Sequence, residues 1–538
     1  MENKQTYFSH YPTGYSHDLN IPNLSLQDML HETVKRFGDH PATNFYGHKM
    51  TYAELQKAVF GFASGLQQIG IEKGDRVAIM LPNCPQYAIV YYGILQAGAI
   101  VTQINPMLVE RELSYILKDS GSKAMIIFDA LYPKLQSIRK ETNIESAITV
   151  SLQAEFTPQN PDCTFPQFLT LSQSYTPIEI QPKEDLAVLQ YTGGTTGRSK
   201  GAMLTHFNIL ANVVQSHEIF KNDIKDGHEK CLSVIPLFHV FGMTSCMNLS
   251  IYSGNEMILL PRFDLEEVLA VIKKEQPTIF PGVPTMYVAI TNHPQAENYN
   301  ISSIRICNSG SAPMPVELMN EFERKTGAKV LEGYGLSEAS PVTHCNNPFT
   351  ERKAGTVGMA LPGTECRVVD LGAGTEDVEP GQLGEVIIRG PQVMKGYWHQ
   401  PEETEVTLKE GWLYTGDIGS LDEDGYLSIV DRKKDMIIAG GFNIYPRDVE
   451  EILYEHPAVQ EAVVIGIPDE YRGETVKAVL VLKAGKEADE EEIITYCREH
   501  MSAYKVPTVV EFRQELPKTS VGKILRRALR EESAPTAK

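Results

Sequence analysis

Apolar positions change their period along this chain, and each change marks an element. Residues 26–37 and 52–69 read as helices, with a short strand pair between them near 42–50. Strand and helix then alternate: 76–81 is strand-like, 86–97 helical, 100–104 a strand, 110–119 helical and 124–128 a strand. This β-α-β-α-β rhythm predicts a parallel sheet covered on both faces. Residues 154–183, rich in Pro, Ser, Gln and Thr, are expected to form a connecting loop. A second alternating block runs from 185 to about 340, with elements at 230–236, 257–260, 265–275, 304–308, 315–326 and 329–331. From 355 to 431 short strands separated by Gly and Pro turns, clearest at 366–369, 384–389 and 426–430, predict a small antiparallel barrel or sheet. The charged run Asp431-Arg432-Lys433-Lys434-Asp435 marks a boundary, and a fresh α+β pattern follows it. Within that pattern, the acidic residues 487–492 read as a solvated helix start.

Composition narrows the picture. With 538 residues, three or four structural units are expected, and 42% hydrophobic residues are ample for real cores. A net charge of −20 argues against a protein that grips nucleic acid or anionic lipid over a broad face. The eight cysteines include no Cys-x-x-Cys pair, which removes support for zinc or thioredoxin-like readings. Residues 1–20 are polar and contain no apolar signal core, so free thiols in the cytoplasm are expected. Between Arg76 and Glu110 no residue is charged, but Pro82, Asn83, Pro85, Gln86, Gln96 and Gly98 interrupt the run. Its longest helical piece would reach only about 18 Å. That is too short for a membrane span, and a buried strand–helix–strand is expected instead.

The stretch Leu189-Gln190-Tyr191-Thr192-Gly193-Gly194-Thr195-Thr196-Gly197-Arg198-Ser199-Lys200-Gly201 follows an apolar strand. Glycines can turn several N–H groups toward one point, hydroxyls add donors, and Lys200 adds a cation. It is not a Walker loop, because Ser199 precedes the lysine and Gly201 follows it. Alone, it is balanced between a polyphosphate cradle and a flexible surface loop of the same composition.

Further motifs break the tie. Asn308-Ser309-Gly310-Ser311-Ala312-Pro313, Glu332-Gly333-Tyr334-Gly335-Leu336-Ser337-Glu338, Trp412-Leu413-Tyr414-Thr415-Gly416-Asp417 and Leu516-Pro517-Lys518-Thr519-Ser520-Val521-Gly522-Lys523 follow in order. Together they closely resemble the adenylate-forming enzymes: acyl-CoA synthetases, peptide-synthetase adenylation domains and firefly luciferase. Residues 81–87 and 440–446 are similar to the fatty-acid CoA ligase branch. The resemblance implies a large N-terminal domain, 1–431, of two parallel αβαβα sheets plus a small β-barrel (subdomains about 1–184, 185–354 and 355–431). A smaller, mobile α+β domain, 432–538, would swing about a hinge near Lys434.

The implied chemistry has two steps: a carboxylate attacks the α-phosphate of ATP, then the thiol of CoA displaces AMP. By the same resemblance, Thr192, Gly193, Gly194, Thr195, Thr196, Gly197 and Lys200 would hold the β- and γ-phosphates. Glu338, with Thr192, would bind Mg²⁺, and Ser337, where threonine is commoner, would touch the α-phosphate. Adenine would lie between Tyr334 and Gly310, Ser311 and Ala312, with Glu332, Gly333 and Gly335 beside it. Asp417 and Arg432 would take the ribose, with Lys434 near them. Lys523 would bridge carboxylate and α-phosphate, and Gly440 and Gly441 would admit the CoA arm. His239 would gate the acyl entrance, and Phe241, Gly242, Met243, Gly282, Val283, Tyr287, Pro341 and Val342 would line the acyl pocket.

Read from their surroundings alone, Glu338 is a helix-start carboxylate, Asp417 a turn residue, Lys523 a surface lysine and His239 a packed core residue. A long-chain fatty acid is the expected substrate, with a medium-chain or arylpropenoic acid as the alternative. Two rival classes are a nucleotide-binding scaffold without turnover and an adenylation module feeding a carrier protein. The resemblance also leaves open a homodimer and peripheral contact with the inner membrane surface.

Overall fold

The computed structural model describes residues 19–152, 162–171, 175–192, 199–222, 224–312, 314–347, 352–439, 442–469, 471–519 and 524–533. Within them lie four sheets. One has the order Cys163–Thr164, Ser146–Val150, Ala124–Phe128, Arg76–Met80, Ile100–Gln103, Leu186–Thr192, Lys200–Thr205. Its neighbours are parallel except the last pair, an antiparallel hairpin that sets Thr192 opposite Lys200. The larger sheet runs Met359–Ala360, Val342–Cys345, Lys329–Gly335, Ile306–Ser309, Ile279–Gly282, Lys230–Ser233, Glu256–Leu259, Pro41–Phe45, His48–Thr51. It is parallel at its centre and antiparallel at both margins.

Helices fill the space between these two sheets. Leu26–Phe37, Tyr52–Gln68 and His206–Phe220 each begin with a capping box, at Ser25, Thr51 and Thr205, which satisfies N–H groups that the first helical turn leaves open. Pro85–Gln96 has buried residues on every side. One apolar core accordingly joins Val77, Ile79 and Val101 of the smaller sheet, Phe62, Tyr91 and Val213 of the helices, and Cys231, Met257 and Leu259 of the larger sheet. That explains why the stretch after Arg76 carries no charge: its helix has no wet face. The outer layer is amphipathic. Leu265–Glu275, Pro284–Asn292 and Val316–Thr326 bury Leu269, Ile290 and Phe322 against the larger sheet.

A third sheet of five antiparallel strands comprises Glu365–Val369, Gly384–Arg389, Trp412–Leu421, Leu408–Lys409 and Leu427–Arg432. Beyond it, Phe442–Ile444, Ile437–Ala439, Gly473–Leu482, Val459–Asp469 and Val509–Phe512 make a fourth, backed by the helices Pro446–Glu455 and Glu490–His500. The acidic run does open a helix: Asp489 accepts from the N–H of Glu492, and three glutamates occupy the first turn, where the helix dipole favours them.

One expectation needs correcting. The segment 154–183 is not loop throughout, because Phe165–Thr170 is a helix preceded by the strand Cys163–Thr164. Pro166 stands at its start, Phe165 stacks on Phe62, and Phe168 packs at a tilt against the same ring. Two aromatic anchors outweigh the loop-like composition around them.

Candidate active site

The parallel strands Ile306–Ser309 and Lys329–Gly335 end at the same edge, where crossovers leave an open crevice. The hairpin ends Thr192 and Lys200 and the strand Trp412–Leu421 complete a cleft of about 1640 Å³, counting its open mouth. Of the residues expected at the site, Thr192, Lys200, His239, Phe241, Gly310, Ser311, Gly333, Tyr334, Gly335, Ser337, Glu338, Pro341, Val342 and Arg432 line it. They come from both parallel sheets and from the third sheet. Gly193, Gly194, Thr195, Thr196, Gly197, Gly440, Gly441 and Lys523 lie outside the described residues.

At one end, Lys200 pairs with Glu403 and lies 5.3 Å from the centre of the Tyr397 ring. The Tyr397 hydroxyl donates to Glu338 Oε1 at 2.7 Å. Burial, then the charge on Glu338, pushes the Tyr397 phenol far above its usual range, so it remains a donor.

At the other end, the Tyr334 hydroxyl donates to Asp417 Oδ2 at 2.5 Å, and Arg432 Nε sits 2.8 Å from Asp417 Oδ1. Strand register makes this arrangement, since Asp417 is directly opposite Arg432. Asp417 is 2% exposed and lies just behind the cleft wall rather than on it. Its charge raises the Arg432 guanidinium, and burial raises the Tyr334 phenol. Glu332 also lies behind the wall. Its Oε1 accepts from the N–H of Met314 at 3.1 Å, its Oε2 is buried without a hydrogen-bond partner, and burial pushes the acid up to about 7. Arg447, on the helix Pro446–Glu455, opposes that shift. Ala312 and Lys434 are not in the lining either, and Lys434 is exposed. Gly310 packs tightly: a Cβ there would stand 3.1 Å from the Phe241 ring, which would have to shift slightly.

The segment 236–241, which carries His239, is held by amides to which the sequence motifs assign no role. Asn83 Nδ2 donates to the carbonyls of Ser233 and Ile235, and Asn83 Oδ1 accepts from the N–H of Leu237 at 2.8 Å. Gln103 and Gln190 donate to the carbonyls of Leu237 and Phe238. The available signal was the presence of lone amides in otherwise apolar strands and turns. His239 Nδ1 accepts from the N–H of Phe241 at 3.3 Å. A π-helix, Gly242–Asn248, follows.

A second, mostly apolar space of about 30 Å³, room for little more than a water molecule, shares Asn308 and Val342 with the cleft. It runs between the helix His206–Phe220 and the larger sheet, against Ile219, Phe220, Ile306 and Leu361. Gly242, Met243, Gly282, Val283 and Tyr287 line neither space. Tyr287 is fully buried in the outer core, edge-to-face with Phe280 and Phe322 and donating to the carbonyl of Phe280. Gly282 lets that ring close in, and Gly242 lets the π-helix approach the carbonyl of Pro236.

The third and fourth sheets meet through charges. Arg447 donates to the carbonyl of Ile429, and its N–H donates to Asp431 Oδ2. Arg526 reaches Glu450 at 2.6 Å and Asp431 at 3.5 Å. Near the expected hinge, Arg530 binds Asp435 and the carbonyl of Lys434.

This geometry has known counterparts. Residues 30–398 match the AMP-binding enzyme family, and residues 448–523 match its AMP-binding enzyme C-terminal domain. The chain is 48% identical to a long-chain-fatty-acid–CoA ligase of Bacillus subtilis (strain 168), over 99% of each chain. It is 38% identical to a ligase of the same name from Escherichia coli O157:H7, over 98% of each. The crystal structure of ATP-bound MatB from Rhodopseudomonas palustris matches with a TM-score of 0.87 at 30% identity, covering 95% of this chain and 99% of that one. With its motifs, its fold and these full-length relatives in agreement, the chain belongs to the AMP-binding enzyme family, whose members form adenylates.

Proposed function

We propose that this enzyme is an ATP-dependent, AMP-forming fatty-acid–CoA ligase acting on long-chain acids. The observation that carries the substrate class is the full-length match to bacterial relatives named for long-chain acids, at 48% and 38% identity. The apolar space beside the polar cleft, about 30 Å³, would have to widen to admit an acyl chain, which would then gain about 0.8 kcal/mol for each methylene buried.

In the first step a carboxylate oxygen attacks the α-phosphorus of ATP, the bond to the bridging oxygen breaks, and pyrophosphate departs. Lys200 and the hydroxyl of Thr192 offset the phosphate charge at one end, while Asp417 and Arg432 orient the ribose at the other. Glu338 and Thr192 suit Mg²⁺. Among the described residues there is no group of three or more His, Cys, Asp or Glu that could hold a metal, which fits an ion taking its other ligands from phosphate and water. When bound, Mg²⁺ supplies positive charge beside the leaving pyrophosphate. Lys523 would then complete the site from the C-terminal domain, 432–538, by bridging carboxylate and α-phosphate. In the second step the CoA sulfur attacks the acyl carbon and AMP leaves. Lysine and thiol compete for the same approach, so the domain rotates near Lys434 to bring Gly440 and Gly441 to the CoA arm.

No helix among the described residues is long and apolar enough to cross a membrane. This reading places the enzyme in the cytoplasm, where peripheral contact with the inner membrane surface would supply its acid. An ATP–pyrophosphate exchange panel across chain lengths and aromatic acids tests the substrate class. Exchange should rise with chain length, and a response restricted to aromatic acids would overturn it.

A further inference from the structure

Glu403 has no part in the chemistry above, yet it is the ion-pair partner of Lys200. Their meeting is built into the backbone. The strand Lys200–Thr205 carries residues 395–398 along its edge: Met203 N–H donates to the carbonyl of Gly396, Lys395 N–H to that of Met203, and Trp398 N–H to that of Gly201. The N–H of Tyr397 donates to Thr404 Oγ1 at 2.9 Å, which ties the helix Pro401–Thr407 to the same edge. Glu403 lies on that helix, and Val406 and Thr407 just after it line the cleft. The ammonium is well covered, with the Lys200 side chain 13% exposed, whereas that of Glu403 is 42% exposed. Tyr397 joins this pair to the other end of the phosphate site, with its ring beside Lys200 and its hydroxyl on Glu338.

An ammonium whose charge is already matched by a carboxylate attracts a triphosphate less than a bare one does. The same carboxylate repels the incoming anion. We infer that Glu403 is a positioning residue that competes with phosphate for Lys200, so that its carboxylate weakens polyphosphate binding and reclaims the ammonium as pyrophosphate departs. A half-exposed carboxylate can swing outward without unfolding anything, while its buried partner stays aimed into the cleft. The inference rests on the proposed contact between Lys200 and the phosphates.

Calorimetric titration of the full-length protein with inorganic pyrophosphate and Mg²⁺ separates the two ideas. Glu403→Gln keeps the size of the side chain and removes its charge. It should bind pyrophosphate about five-fold more tightly, which is about 1 kcal/mol at 1.4 kcal/mol per factor of ten. The KM for ATP should fall, the KM for the acid should not change, and product inhibition by pyrophosphate should strengthen. In a Lys200→Ala background the same substitution should tighten pyrophosphate binding much less, since only the direct repulsion is then relieved. Unchanged or weaker affinity in Glu403→Gln would overturn the inference and leave Glu403 as an anchor for its helix. Unchanged affinity in Lys200→Ala alone would instead overturn the phosphate contact beneath it.

Discussion

Replacing Asp417 with asparagine tests the nucleotide site most directly. The change keeps the side-chain size, so Tyr334 still has an oxygen to donate to, but it removes the charge facing Arg432. If Asp417 accepts from a ribose hydroxyl, its loss forfeits a charge-assisted hydrogen bond of about 1.5–3 kcal/mol. That corresponds to roughly 10- to 150-fold weaker ATP binding. Folding is affected less. Asp417 is buried but the Arg432 side chain is 37% exposed, so water takes over part of the lost attraction, and about 1–2 kcal/mol of stability is expected to go. Binding of ATP and of 2′-deoxy-ATP should be measured by calorimetry well below the melting temperature. Wild type should prefer ATP, and Asp417→Asn should narrow that preference. Equal weakening of both nucleotides would mean that Asp417 only supports Tyr334 and Arg432, and unchanged affinity would remove it from the site.

Lys523→Ala should abolish pyrophosphate release from acid plus ATP yet largely spare thiolysis of supplied acyl-adenylate; equal loss of both steps would refute the division of roles. Burial pushes Glu332 from an ordinary 4.5 up to about 7, so the folded chain binds its proton more readily than the unfolded chain does. Stability should therefore fall as pH rises from about 4.5 to 7, by about 3 kcal/mol in all. Glu332→Gln should lose this slope when melting temperatures are compared across that window, and parallel profiles would contradict the assignment. Asn83→Ala leaves two carbonyls and one N–H without their buried partner, at about 1–3 kcal/mol each. The loosened 236–241 segment should raise the KM for the acid about ten-fold and spare that for ATP, whereas an equal rise for both would show general damage.

Much was legible from one dimension. Alternation of strand and helix between 76 and 128 foretold a parallel sheet, because buried strands read as continuous apolar runs and their crossovers as helices. The uncharged stretch after Arg76 was correctly a buried strand, helix and strand. The helix at Phe165–Thr170 was missed because its signal is two aromatic anchors rather than a sustained period. Tyr287 and Val283, expected in the acyl lining, pack on the side of the larger sheet that faces the outer helices and line neither the cleft nor the smaller apolar space.

Residue type and order by themselves determined the fold class and the family, and supplied the candidate groups for a phosphate, a ribose and a carboxylate. Such groups are named by local motifs whose backbone conformation depends on near neighbours. Only the tertiary structure decided which of them share a cleft, that Asp417 and Glu332 stand behind its wall, and that Lys200 is paired with a glutamate 203 positions away. Those facts arise from strand register and from packing between layers. Both bring together residues distant in sequence, and no local period records such meetings.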